Sequence, residues 1–243
     1  MRYIIDFSYS GALFNGYQKQ PGLRTVQEEI EKVLTSINNN KQVIIHSSGR
    51  TDSKVNALHQ IAHFDFLYDI NCYKLKGALN SYLPDDIYIN DVKKVDNDFH
   101  ARYNVKSKIY EYKINTGDYN PMLRTQVYQF CKPLNIRKMK ESLKFFIGTH
   151  DFTSFASSED KKDDKVRTIF NADIKKVNST IIITFEGSGF LKYQVRNMVG
   201  LLIDIGLNKF DYNKIPFILE KKDRKLIGKT APSCGLTLIS VKY

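Results

Sequence analysis

Arg50 and Asp52 stand two residues apart in Gly49-Arg50-Thr51-Asp52, a turn opened by Ser47-Ser48 after the strand-like run Val43-Ile44-Ile45. Reactive side chains are commonly displayed on loops at the ends of rigid strands. A neighbouring guanidinium favours the ionised carboxylate, and an ionised aspartate can act as nucleophile or general base. The competing reading is structural, since an aspartate in a Gly-containing turn commonly bonds its own backbone. His59 and His63 are four apart and share one face of any helix that reaches both, a spacing that can bind zinc. No glutamate follows the first histidine and no cysteine pair lies nearby, so paired surface or core histidines fit better. Tyr110 alternates with Tyr112 and Ile114 on a strand; it either packs in a core or offers a plane on which a displaced base stacks.

Other chemistries leave no trace. The chain has no Gly-x-x-x-x-Gly-Lys-Ser/Thr loop and no Gly-x-Gly-x-x-Gly turn, so no nucleotide-cofactor signature is present. Gly189-Phe190-Leu191-Lys192-Tyr193 faintly resembles an RNA-recognition motif and reads better as a tight aromatic turn. Cys72, Cys131 and Cys234 are odd in number and far apart, which argues against disulfides and zinc ribbons and for the reducing cytoplasm. No apolar run approaches the roughly 20 residues of a membrane span. The first residues read as a strand rather than a signal peptide. The formal net charge of +11 attracts polyanions, although surface lysines that merely solubilise the chain would give the same balance.

Two rounds of strands and helices must position these residues. In the first, Tyr3, Ile5, Phe7 and Tyr9 alternate with polar residues as a half-buried strand. Thr25 with Glu28 forms a capping box for a helix with the stripe Val26, Ile30, Val33, Leu34, Ile37, stopped by Asn38-Asn39-Asn40. A short helix over 55–61 and a strand over 63–66 are expected next. In the second, Tyr110, Tyr112 and Ile114 mark a strand. Ile136, Met139, Leu143, Phe146 and Ile147 mark a helix closed by Gly148 as C-cap. Ile181-Ile182-Ile183 is a strand core, Val195, Met198, Val199, Leu202 and Ile203 a helix ended by Gly206, and 236–241 a last strand. Residues 157–165 pack seven charges into nine positions, as a solvated loop would. This predicts an α/β (α+β) protein with two related subdomains, 1–104 and 105–243, mixed or antiparallel sheets and helices on one face, with an active-site cleft between them.

Six segments in order resemble the TruA family of tRNA pseudouridine synthases over some 230 residues. They are YSGALFNGYQ at 9–18, GRTDSKVNA at 49–57, Phe99-His100-Ala101-Arg102 with Lys106-Ser107 and Tyr110, GTHDFTSF at 148–155, Gly189-Phe190-Leu191 with Val195-Arg196-Asn197, and APSCGLTL at 231–238. The resemblance implies that Asp52 is the catalytic nucleophile and that Arg50 helps hold a flipped-out nucleotide. It implies that Arg196 pairs with Asp52, that Tyr110 packs on the target base and that Leu236 lines the pocket. It further implies a homodimer acting without metal or cofactor on uridines in the anticodon arm of tRNA (positions 38–40). Pseudouridine formation breaks the base–sugar N–C bond, turns the uracil and rejoins it through carbon. Attack of Asp52 on the sugar, attack on the base and assisted elimination all fit the motif. The target must leave its stack at a cost of a few kcal/mol, which phosphate contacts of a basic surface can offset.

This chain departs from the family pattern beside Asp52. Lys54 stands where the family has glycine, Asn56 where it has histidine, His59 at a later glycine and Tyr17 at a tryptophan. If position 54 needs a positive φ, lysine is strained there. These departures support a rival reading, a non-catalytic tRNA-binding or tRNA-folding protein on the same scaffold. A metal-dependent nuclease is a third, but the clustered acidic ligands it needs are missing from the sequence.

Overall fold

The computed structural model describes residues 1–159 and 164–243; residues 160–163, the centre of the charged 157–165 segment, lie outside the described residues. The chain divides into two compact units, Met1–Lys106 with Leu238–Tyr243, and Ser107–Thr237. It is an α/β protein of mostly antiparallel strands with five α-helices among the described residues.

In the first unit the strands are β1 (Arg2–Tyr9), β2 (His46–Ser47), β3 (Asn56–Asp65), β4 (Ile87–Val95) and the end of β10 (Leu236–Lys242). Their order is β4-β1-β3-β10, with the short β2 added to β3. The alternation read in β1 is real, for Tyr3, Ile5, Phe7 and Tyr9 are all buried. Helix α1 (Val26–Ile37) buries Val26, Ile30 and Leu34, and α2 (Cys72–Tyr82) packs on α1 and β4. The capping box does not form. Thr25 is the N-cap by position, but its side chain caps nothing and its hydroxyl is buried without a partner. Glu28 turns instead toward Lys32, one turn on.

Two expectations in this unit fail. Residues 55–61 are not helical, because β3 takes in 56–61, paired with β1 from Arg2↔Asp65 to Tyr9↔Ala57 with a register shift between Phe7 and Tyr9. A neighbouring strand supplies the backbone partners that a helix would otherwise have to supply itself. Val43-Ile44-Ile45 is not a strand either. Its backbone N–H groups are met by side chains of α1, Val43 N donating to Thr35 Oγ1 at 3.1 Å and Ile45 N to Glu31 Oε1 at 3.1 Å.

The second unit holds β5 (Ser107–Asn115), β6 (Tyr128–Gln129), β7 (Gly148–Asp151), β8 (Val166–Val177) and β9 (Thr180–Gly187), in the order β5-β9-β8-β7 with β6 parallel to β5. Tyr110, Tyr112 and Ile114 face inward, opposite Phe185, Ile183 and Ile181 of β9. Helix α3 (Ile136–Leu143) packs on β8 and on α4 (Gln194–Gly206). A last helix, α5, covers Ile215–Lys221. Helix α4 is buried on nearly every side, as a core helix of this apolarity should be. The expected C-cap at Gly148 is overturned. Helix α3 stops at Leu143, and Gly148, at φ 111°, opens β7 instead. Phe146 folds into the core through a turn beyond the helix end. Helix α4 ends on Gly206, as its spacing predicts.

Candidate active site

The Arg50–Asp52 turn is the connection of the β2–β3 hairpin, and buried polar groups fix it from below. Ser48 N donates to Ile61 O at 2.8 Å, continuing the ladder for one more residue. Gln60, fully buried in β3, then replaces the ladder with its side chain. Its Nε2 donates to Gly49 O at 3.0 Å and its Oε1 accepts from Ser48 Oγ at 2.6 Å. Ser47 Oγ donates to the same Gly49 carbonyl at 3.0 Å. Thr51 is held through its hydroxyl, 2.8 Å from that of Tyr9 at the end of β1. Burial pushes the Tyr9 phenol up to about 12, so that group stays neutral.

The loop after β1 wraps the same turn. Tyr17 N donates to Thr51 O at 3.1 Å, while Ser53 Oγ and Lys54 N both donate to Phe14 O, at 3.2 and 3.3 Å. Arg24 anchors this loop by a two-pronged bond to Asp86 at 2.7 and 2.8 Å, with its guanidinium 4.2 Å above the Phe14 ring. Gly16 is required here. Its φ is 97°, and a β-carbon would stand 3.2 Å from Thr51 O. Within the turn Val55 N donates to Asp52 O at 3.2 Å. The Asp52 side chain is half-buried, and exposed Arg50 donates from Nη1 to Gln18 Oε1 at 2.5 Å. The turn therefore presents Asp52 on a backbone fastened on both sides.

The departures have definite roles. Lys54 does adopt a positive φ, 64°, the left-handed geometry that glycine adopts without strain. Asn56 is buried and accepts the Gly11 N–H on Oδ1 at 2.8 Å, tying the first loop to the start of β3. His59 is exposed, with Nδ1 2.9 Å from Asp6 Oδ2. His63 is buried and accepts the Ala101 N–H on Nδ1 at 3.1 Å. Burial, with His100 adding to it, lowers its pKa to about 4. The two histidines thus have separate partners on one strand. Among the described residues no group of three or more His, Cys, Asp or Glu is placed to hold a metal ion.

The second unit carries Tyr110, Arg196 and Leu236. Tyr110, buried in β5, meets the Phe190 ring edge-on at 5.2 Å and 84°. Arg196, half-buried near the start of α4, donates from Nε to Ala231 O at 2.8 Å, with its guanidinium 4.8 Å from the Tyr193 ring centre. The next residue, Pro232, accepts the Tyr112 hydroxyl at 2.6 Å. Gly235 lies so close to the Tyr112 ring that a β-carbon would stand 2.7 Å from it. Segment 231–236 therefore links the strand of Tyr110 to the helix of Arg196 and ends on buried Leu236. Asn197 braces that helix, donating to Phe155 O at 2.7 Å and accepting from Thr230 Oγ1 at 2.7 Å. Sequence reasoning missed Gln60, Tyr9 and Thr51 as supports. The available signal was a polar residue at an inward position of a strand, legible only once 56–65 is known to be one.

The structure thus places a half-buried aspartate on a clamped hairpin turn of an α/β scaffold whose formal net charge is +11. The family described as tRNA pseudouridine synthase matches residues 7–104 and 143–243, and this chain belongs to it. Proteins named tRNA pseudouridine synthase A from Streptococcus pneumoniae strains 70585 and Taiwan19F-14 are each 44% identical over 245 aligned positions, covering 100% of this chain and 98% of theirs. Among solved structures, the crystal structure of a Cbf5-Nop10-Gar1 complex aligns with 82% of this chain and 54% of that chain, at 11% identity and a TM-score of 0.32.

Proposed function

We propose that this protein isomerises uridine to pseudouridine in the anticodon stem-loop of tRNA, at positions 38–40, with Asp52 as nucleophile. The observation that carries the reading is the Asp52 turn itself, held by Tyr9 and Gln60 from below and by the first loop from the side. Such fastening fixes a reacting group in advance, so that little ordering remains to be done when the substrate arrives. Arg50 helps hold the flipped-out nucleotide and Arg196 pairs with the Asp52 carboxylate. Tyr110 packs on the target base and Leu236 lines its pocket.

The reaction balances without a co-reactant. The N1–C1′ bond breaks, the C5–C1′ bond forms, and the C5 proton leaves for water while N1 gains one. The charge of +11 supplies the attraction to phosphate that offsets unstacking of the base. The reading further includes a homodimer in the cytoplasm. No described helix is long and apolar enough to cross a membrane.

The test is incubation of the purified protein with unmodified tRNA labelled with tritium at uridine C5. The reading expects tritium release, new pseudouridine in the anticodon arm by mass spectrometry, and two chains per particle by light scattering. Salt-sensitive tRNA binding with no release would overturn it in favour of the non-catalytic tRNA-binding protein.

A further inference from the structure

The Phe99-His100-Ala101-Arg102 motif has no place in the site described above. Its first three residues serve the fold of the first unit. Phe99 O accepts Arg2 Nη1 at 2.9 Å, and the Phe99 ring lies 5.1 Å from that of Tyr243. Ala101 is fully buried; its N–H goes to His63 Nδ1 and its carbonyl accepts the Tyr243 hydroxyl at 2.7 Å. His100 folds the turn. Its N–H donates to Asn104 Oδ1 at 2.5 Å, its carbonyl accepts Tyr103 N and Asn104 N at 3.1 Å each, and its Nδ1 accepts Arg102 N at 3.1 Å.

The last two side chains of the turn do none of this. The Arg102 guanidinium is exposed and makes no ion pair among the described residues. Tyr103 is 78% exposed, and its hydroxyl has no hydrogen bond among the described residues. The His100 ring lies against that of Tyr103 at 4.2 Å and 32°. Behind it a file of rings continues, His100 to His63 at 4.6 Å and His63 to His46 at 5.1 Å. Both His63 and His100 accept a backbone N–H on Nδ1, which holds these rings neutral. Burial, foremost, lowers both pKa values. Of the carboxylates nearby, Asp65 bonds Arg2 at 2.9 Å, and the charge of Asp98 acts on the same guanidinium. The result is a rigid turn with an aromatic plane open on one side and a cation one residue away.

We propose that the Arg102–Tyr103 turn is a second nucleotide contact for the RNA substrate, separate from the Asp52 turn, in which an unpaired base stacks on Tyr103 and its phosphate meets Arg102. Base–aromatic stacking tolerates any base because each has a π-face. The turn is ordered before binding, so little entropy is lost in using it. The inference rests on the reading of tRNA as substrate.

The test compares Tyr103→Ala, Tyr103→Phe and Arg102→Gln for KM, kcat, melting temperature and the salt dependence of tRNA binding. Tyr103→Ala should raise KM for tRNA by about tenfold, within the range that stacking supplies, with kcat and melting temperature unchanged. Tyr103→Phe keeps the plane and should match the parent. Arg102→Gln should flatten the salt dependence by about one phosphate contact. Tyr103→Ala with the parent KM, or Tyr103→Phe as impaired as Tyr103→Ala, would overturn the platform. An unsubstituted protein that neither binds nor modifies tRNA would instead strike at the substrate reading beneath it.

Discussion

Replacing Tyr9 with phenylalanine takes one oxygen from beneath the Asp52 turn. That oxygen lies 2.8 Å from Thr51 Oγ1, and both side chains are buried. Its removal strands the Thr51 hydroxyl where water does not reach, a loss of about 1–3 kcal/mol. Thr51→Val removes the same bond from the other side but leaves the Tyr9 hydroxyl with Gln60 as a partner, so it should lose less. Removing both leaves two apolar groups in contact, which is close to neutral. The double variant should therefore lose less than the sum of the two singles, with a coupling of at least about 0.5–1 kcal/mol between the two sites. Urea unfolding of the four proteins measures this directly. Turnover on tRNA measured beside it should show kcat falling several-fold in each single variant with KM held, because Thr51 is covalently joined to Asp52. Strictly additive stability losses, or singles with the parent kcat, would refute the view that this bond positions the carboxylate.

Other substitutions test other parts of the turn. Lys54→Gly should stabilise the protein by about 0.5–1 kcal/mol, since the left-handed region costs an L-residue roughly 1–2 kcal/mol and glycine's extra chain entropy gives some of that back. Lys54→Ala should give no such gain, and equal melting temperatures for the two variants would contradict the strain at φ 64°. Asn56→Ala should cost about 1–2 kcal/mol by leaving the Gly11 N–H unmet; chemical denaturation with an unchanged midpoint would count against that tie. The folded His63 pKa of about 4 lies below its ordinary 6.5, so the unfolded chain takes up the proton first. The neutral-form contribution is full above about pH 6.5 and is lost as pH falls toward 4. His63→Asn keeps an acceptor and should flatten this part of the stability–pH curve; an unaltered slope would assign the effect to other groups.

Elements with one face against a core were legible in the sequence. Strands β1 and β5 and helices α1 and α4 follow directly from the spacing of their apolar residues. Segments whose conformation is decided by a partner elsewhere in the chain were not. The apolar residues of 55–61 suit either a helix or a strand, and pairing with β1 decides for the strand. Val43 and Ile45 have strand composition, yet Thr35 and Glu31 of the preceding helix α1 take their N–H groups. The end of α3 was misplaced because Phe146 continues the helical spacing while the chain leaves the helix.

At the site the same division holds. Asp52 is undistinguished within its own turn and gains its standing from six motifs in family order. Lys54 was the departure with a local physical reading, and its positive φ matches what a glycine position requires. Gln60 is not legible in the sequence, because its work is to meet Gly49 and Ser48 across a hairpin in a stretch whose spacing also suits a helix.

The central claim is that the charge of Asp52 carries the reaction. The direct measurement is tritium release from C5-labelled tRNA by Asp52→Asn, which keeps the size of the side chain and removes its charge. The account predicts release at background, with tRNA affinity and melting temperature close to those of the unsubstituted protein. Release at the parent rate would contradict it.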